Sequence, residues 1–290
     1  MKFALLITGY KGVVFLEKLK EFPQFIVTYD NKEGNGEFYQ KIIDWGHHHD
    51  VPVFHKKEWE SLYNSLTTVD KIFVVGWQFL IKDFINKLVV FHDSYLPERR
   101  GRCPTVGALM DKMSYLGAST FRPFQNSQEP DYGDVYYRLK HKISYPLSLQ
   151  EAFSIVAELY IKMAHNILKE DPTPSSIDFS KSSFSMWRDE EDMRLDWSKD
   201  AEEINQNILT LSYPYDGAVS LYDGKPIRIK RAKIESHKNI INQQEHCGKI
   251  WKIEKGNPHI VCGKGILKIL EATNESGNTI LFSKTRKRFK

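Results

Sequence analysis

The feature that most constrains this chain is a repeating exchange of strand-length and helix-length segments over its first 145 residues. Residues 3–7 form a short apolar run that ends in a Gly turn. Residues 13–19 then place Val13, Leu16 and Leu19 at helical spacing, and residues 24–29 return to β-branched and aromatic side chains. Residues 38–45 read as a helix, 51–54 as a strand, 59–66 as a helix, and 71–75 and 88–91 as two further strands. Strands separated by helix-length segments pair in parallel through βαβ crossovers. The pattern predicts an α/β fold, a Rossmann-like doubly wound parallel sheet with helices on both faces. Ligands of such sheets bind beyond the carboxyl ends of the strands, which directs attention to the segments after Ile7, Val75 and Phe91.

The pattern changes in the second half. Residues 149–169 read as one long amphipathic helix, with Leu149, Phe153, Val156, Tyr160, Met163 and Ile167 on one face. Pro172 and Pro174 stop it, and residues 172–198 read as a Ser-rich linker. A short helix follows, with Ile204, Ile208 and Leu211 on one face and Ser198 as its expected cap. Short strands come next at 218–222, 227–234, 250–253, 260–262, 266–272 and 279–282. Asp223-Gly224 between the first two is a strong hairpin signal. These strands make a small all-β module of barrel type, expected to bury Ile227, Ile229 and Ile234. Two domains are expected, residues 1–185 and residues 199–290.

Composition narrows the class. Lys and Arg outnumber Asp and Glu by 41 to 37, a net +4 that gives no argument for nucleic acid. Cys103, Cys247 and Cys262 lie far apart, which excludes a disulfide framework and a zinc-finger spacing. The longest apolar stretch, 72–81, is far short of the roughly 20 residues a membrane span needs. The apolar start reads as a buried first strand rather than a signal peptide. A cytoplasmic protein with no membrane partner is expected. His47, His48 and His49 follow one another at a helix end and point in different directions, so no metal site is expected there. The first βα turn, Thr8-Gly9-Tyr10-Lys11-Gly12, lacks both dinucleotide and phosphate-loop spacing and reads as a tight turn.

The densest segment runs from Phe91-His92-Asp93-Ser94 through Pro97 to Arg100-Gly101-Arg102-Cys103-Pro104. A His at a strand end, followed by an Arg-bearing loop punctuated by Pro and Gly, fits either a site at the sheet edge or a solvated loop. Neighbouring His and Asp do not make a catalytic pair by adjacency, because such groups are assembled in space.

The segment resembles the N-x-H-x-S-L-L-P-x-x-R-G-x-x-P signature of the formyltetrahydrofolate-dependent formyltransferases. Pro130-Asp131-Tyr132-Gly133-Asp134-Val135 is similar to that family's second element, D-x-G-x followed by Ile or Val. Trp187-Arg188-Asp189-Glu190, Leu195-Asp196-Trp197-Ser198 and Pro214-Tyr215-Asp216-Gly217-Ala218 resemble its linker and the start of its C-terminal OB-like barrel. The resemblance implies transfer of a formyl group from N10-formyltetrahydrofolate, as co-substrate and without a metal, to an amine. It implies His92 and Asp131 as catalytic residues. It places a pterin-binding loop at Gly76, Trp77, Gln78, Leu80 and Ile81, with Trp77 open to the alternative of a buried turn residue. Ser94, Arg100 and Arg102 are the candidates for binding the acceptor, the two arginines because guanidinium forks match phosphates.

The match fails at a position that matters to the chemistry. The family's Asn, which donates to the oxyanion, is Val90 here. The donor then has to come from His92, the Ser94 hydroxyl or a backbone N–H. A nucleotide-linked amino sugar is the favoured acceptor; methionyl-tRNA formylation and non-catalytic folate or sugar binding are the alternatives. A homodimer stays open.

Overall fold

Every residue of Phe3–Ile7 (β1) is buried, as a strand covered on both faces requires. The computed structural model describes residues 1–30, 36–125, 127–235 and 239–290. After β1 come α1 (Gly9–Lys18), β2 (Ile26–Thr28), α2 (Gly36–His48), β3 (Val53–His55), α3 (Tyr63–Thr68), β4 (Lys71–Val75) and β5 (Leu88–His92). They are followed by β6 (Arg100–Gly101), α4 (Pro104–Met110), β7 (Tyr115–Pro123), β8 (Gly133–Lys142), α5 (Leu149–Glu170) and β9 (Phe184–Ser185). Then come α6 (Ala201–Leu211), β10 (Ala218–Tyr222), β11 (Lys225–Glu235), β12 (Ile250–Glu254), β13 (Asn257–Val261) and β14 (Ile266–Asn274).

By their contacts the residues divide into two compact units. One comprises Met1–Thr105, Tyr115–Lys142 and Phe153–Met186; the other comprises Val106–Ser114, Ile143–Ala152 and Trp187–Lys290.

The first unit holds a seven-stranded sheet in the order β3-β2-β1-β4-β5-β7-β8. The first five strands are parallel, with Phe3 opposite Lys71 and Val74 opposite Val90. The chain leaves β1 toward β2 and β3, then returns to β4 on its other side. That reversal makes a topological switch point between the carboxyl ends of β1 and β4, where ligands of such sheets collect. The last two strands correct the sequence reading. β7 pairs antiparallel with β5, Val90 opposite Phe121, and β8 antiparallel with β7. The sheet is therefore mixed, and its antiparallel edge carries no crossover helix between β7 and β8.

The second unit holds a separate antiparallel sheet, in the order β10-β11-β14-β13-β12. Asp223 and Gly224 both have positive φ, 54° and 74°, which a two-residue hairpin turn of this hand needs. Ile227 and Ile229 are buried, but Ile234 is 37% exposed. The pairing of β11 with β14 shifts register between Ile229 and Ala232, so the alternation that buries Ile227 and Ile229 does not carry through to Ile234. Residues 279–282 form no strand of this sheet; Thr279 makes a single bridge to Thr273. Ser198 does not cap α6 either. Its hydroxyl bonds Asp196 Oδ1, and the residue flanking the helix is Asp200. The last residues reach both end strands of the sheet. Lys290 exchanges two backbone bonds with Leu221, and Ile250 N–H donates to Lys287. Among the described residues, no helix is long and apolar enough to cross a membrane.

Candidate active site

The site is built at the carboxyl end of β5. Alternation along that strand puts Val90 and His92 on one face and Phe91 on the other. His92 is 5% exposed. Its Nε2 lies 3.1 Å from the Arg99 carbonyl oxygen, and its Nδ1 lies 3.5 Å from Asp131 Oδ1. Both ring nitrogens thus face acceptors. An imidazolium donates to both, whereas each neutral tautomer turns one lone pair toward an oxygen.

Two glycines make this approach feasible. Gly101 has φ +99°, and a Cβ there would stand 2.6 Å from the Ser185 carbonyl oxygen. Its bare backbone instead brings its N–H to Asp131 Oδ2 at 2.6 Å. Gly133, two residues after Asp131, lies against the backbone of β7, where a Cβ would overlap the Arg122 carbonyl oxygen. Asp131 itself holds a left-handed backbone, φ 47°. Its carboxylate is therefore fixed from both sides, by the Gly101 N–H and by the turn into β8.

The loop between β5 and β6 is closed by its own hydrogen bonds. Ser94 is buried, and its hydroxyl donates to the Glu98 carbonyl at 2.5 Å. Ser119 Oγ accepts from Leu96 N–H and donates to the Ser94 carbonyl. Arg100 is 3% exposed. Its Nε donates to the Pro130 carbonyl, its Nη1 to Ser182 Oγ and its Nη2 to Glu129. The rings of Tyr132, Phe179 and Phe184 surround its guanidinium at 5.1, 5.2 and 4.9 Å. This is a structural arginine, not one offered to a ligand phosphate. The Arg102 side chain is exposed. The structure thus brings His92 and Asp131 together, ties Ser94 within the loop and ties Arg100 to Pro130, Ser182 and Glu129.

The loop after β4 stands at the switch point. Gln78 and Leu80 are exposed, while Trp77 and Ile81 are half-buried against the core cluster that Val90 also joins. Trp77 meets Tyr29 edge-on at 5.2 Å. Phe79 meets Trp77 edge-on as well, at 6.1 Å, so Trp77 is half-buried between protein rings and core.

One group of residues lay outside the sequence reading. Asp93 is buried, with Lys11 Nζ 2.7 Å from Oδ1 and Thr105 Oγ1 2.5 Å from Oδ2. Burial pushes this carboxyl up. The charges of Lys11 and His92 and the hydrogen bonds from Lys11 and Thr105 outweigh it and bring it down to about 2. The Tyr160 hydroxyl, from α5, is also buried and has no hydrogen-bond partner among the described residues. Burial, and then the charges of Asp93 and Asp131, push it well above its ordinary value. No group of His, Cys, Asp and Glu suited to a metal ion occurs among the described residues.

Residues 188–289 match the family model described as formyl transferase, C-terminal domain. Over 228 residues the chain is 28% identical to a methionyl-tRNA formyltransferase of Lachnospira eligens, covering 74% of this chain and 71% of that protein. The chain is similar to formyltransferases over most of its length, and its residues 188–289 carry their C-terminal domain. It is a transferase whose fold recurs in solved relatives of low identity. HypX from Aquifex aeolicus, in complex with tetrahydrofolic acid, superposes with a TM-score of 0.64 at 15% identity, over 96% of this chain. The formyltransferase spans somewhat less than half of that protein, 45%. An N-formyltransferase from Helicobacter canadensis, solved with folinic acid and dTDP-3-aminofucose, superposes with a TM-score of 0.61 at 14% identity, over 93% of this chain and 99% of its own.

Proposed function

We propose that this formyltransferase moves the formyl group of N10-formyltetrahydrofolate to the amine of a nucleotide-linked amino sugar. The observation that carries the reading is the close placement of His92, Asp131 and the Gly101 N–H at the carboxyl end of β5. In the reaction the acceptor amine attacks the formyl carbon, and the carbonyl electron pair moves to oxygen. Collapse of that oxyanion breaks the bond to N10, which takes up a proton as the amine loses one. His92, with two N–H positions and a carboxylate behind it, is suited to carry that proton and to face the oxyanion; Asp131 orients the ring. The Ser94 hydroxyl is committed to Glu98, and His92 stands in for the family's Asn at Val90 only by turning its Nε2 N–H from the Arg99 carbonyl to the oxyanion; backbone N–H groups are the other donors.

Gln78, Leu80 and the exposed parts of Trp77 and Ile81 offer an aromatic and apolar edge suited to a pterin. Arg102 is exposed, and its charge reaches Tyr29, the ring that meets Trp77; it is the side chain suited to an acceptor phosphate. The near full-length likeness to an N-formyltransferase solved with a dTDP-linked amino sugar supports this acceptor class. The hydrogen bonds from the last residues to both end strands of the second sheet support a closed, OB-like barrel in the C-terminal unit.

One observation favours the methionyl-tRNA reading. Residues 218–290 carry sixteen Lys and Arg against six Asp and Glu, so the mild overall charge conceals a strongly basic C-terminal segment. The test is direct. Purified protein is given the formyl donor with a panel of nucleotide-linked amino sugars and, separately, with charged initiator tRNA, and the products are analysed by mass spectrometry. Formylated sugar is the expected product; formylated methionyl-tRNA with every sugar untouched rejects the acceptor assignment.

A further inference from the structure

We propose that Lys11 is a positioning residue for the reaction at His92: it neutralises the buried carboxylate of Asp93, so that Asp131, and not Asp93, supplies the negative charge to which the imidazole answers. The inference rests on the reading of His92 as the catalytic histidine. Asp93 follows His92 just beyond the end of β5, and its carboxylate meets Lys11 of α1, the helix whose Phe15 packs on Phe91. Lys11 Nζ lies 2.7 Å from Asp93 Oδ1, and Thr105 Oγ1 donates to its Oδ2 at 2.5 Å. Only 5% of its side chain is exposed, so little water screens its charge.

The pairing is also long in reach. Lys11 stands in the first turn of α1, after β1, while Asp93 follows β5, and β4 lies between those strands. One ion pair therefore ties the loop of β1 across the end of β4 to the exit of the histidine strand, and Thr105 ties the same carboxylate to α4. The groups that face Asp93 are Lys11 from α1, Thr105 from α4, His92 from β5 and the Tyr160 hydroxyl from α5. Lys11 is the cation that balances it from outside β5. The Phe153 ring lies 5.6 Å from the ammonium and helps to hold it there. Two carboxylates thus flank one imidazole, one offered to it and one cancelled behind it. Without Lys11 the second charge would act on His92 through a poorly screened interior and hold a proton that the reaction has to move.

The test uses the full chain in four forms: wild type, Lys11→Met, Asp93→Asn and the double variant. Steady-state kinetics give kcat and KM for the formyl donor, and proton NMR follows the His92 C2–H signal against pH, assigned with His92→Asn. Lys11→Met is expected to lower kcat by about tenfold or more while KM for the donor stays within roughly twofold. Its His92 titration curve moves to higher pH. The double variant recovers most of kcat and returns the curve toward wild type, because the uncompensated charge is gone. If Lys11→Met does not fold, Asp93→Asn carries the test, since it leaves Lys11 unbalanced and moves the curve to lower pH. Unmoved curves in the single variants, or a double variant as slow as Lys11→Met, overturn the proposal. A wild type that formylates no amine rejects the functional reading instead, and the NMR curves still decide the role of Lys11.

Discussion

An arginine recognises a phosphate only with donors its own protein has left available, and each of the three guanidinium nitrogens of Arg100 already donates to another protein group. Replacing Arg100 by Ala removes those bonds and a cation enclosed by three rings. We expect thermal unfolding to register a loss of about 2–4 kcal/mol. Arg102→Ala should leave the melting temperature within a degree or so of wild type on that same scale. It should raise KM for the nucleotide-linked acceptor about tenfold, as loss of one charged hydrogen bond does. A KM unchanged in Arg102→Ala would remove that residue from the acceptor site. Val90 supplies a second residue-scale test. It shares a face with His92 and packs against two core clusters. Val90→Asn restores an amide donor there and should raise kcat, by at most roughly 10²–10³. Asn on that half-buried face should also lower stability, by about 1–3 kcal/mol. A variant with lowered stability and flat kcat would mean that His92 or backbone N–H groups already complete the oxyanion site. At this scale His92 and Asp131 were legible because their motifs are local runs with fixed spacing. Arg100 was misread because its burial depends on Ser182 and the ring of Phe179, some eighty residues away.

Elements meet at Asp93, which joins the start of α1, the end of β5 and the start of α4, and the consequence is a stability that depends on acid. In the folded chain its proton binds at about pH 2; in the unfolded chain, near the ordinary value of 3.8. A depressed carboxyl stabilises the fold above the unfolded value, and that contribution disappears as pH falls through the folded one. The contribution should be about 2 kcal/mol above pH ~4 and vanish near pH ~2. Urea unfolding of wild type and Asp93→Asn across this range measures it. The gap between them should close on acidification, and a gap that stays constant would show that packing, not charge, sets the effect. No spacing rule reveals this contact, since Lys11 and Asp93 are 82 residues apart and meet only because the sheet order places β1 and β5 on either side of β4. The parallel strands, by contrast, were plain in the sequence, because apolar runs and helical periods alternate. β7 and β8 were not: no helix separates them, and the turn between them carries the Asp131 motif in place of a hairpin signal.

At the scale of the whole molecule the charge is segregated, and salt becomes the variable that separates the two acceptor classes. The overall +4 resolves into ten excess basic residues over 218–290 and six excess acidic ones over the rest of the chain. Several of the basic side chains are already paired; Lys268 meets Glu254, and Lys287 meets Asp223. Others, at Lys225, Lys255, Lys264 and Lys284, are exposed. A nucleic acid docked on six to ten such groups would displace condensed counterions. Its affinity would then fall by roughly 10³–10⁵ between 50 and 200 mM salt. A nucleotide-linked sugar presents a diphosphate with no counterion sheath of that kind, and exposed arginine pairing with it is screened only over a Debye length of about 8–10 Å. The amino-sugar reading therefore predicts a shallow response: KM for the sugar acceptor should rise by less than about tenfold over the same salt range, with kcat unchanged. Steady-state kinetics at four or five salt concentrations decide the matter. A shallow slope with the sugar leaves the basic segment to some role apart from acceptor binding. A steep slope, with transfer that fails above physiological salt, would place the acceptor on that basic surface and make a polyanion, not a sugar nucleotide, the substrate.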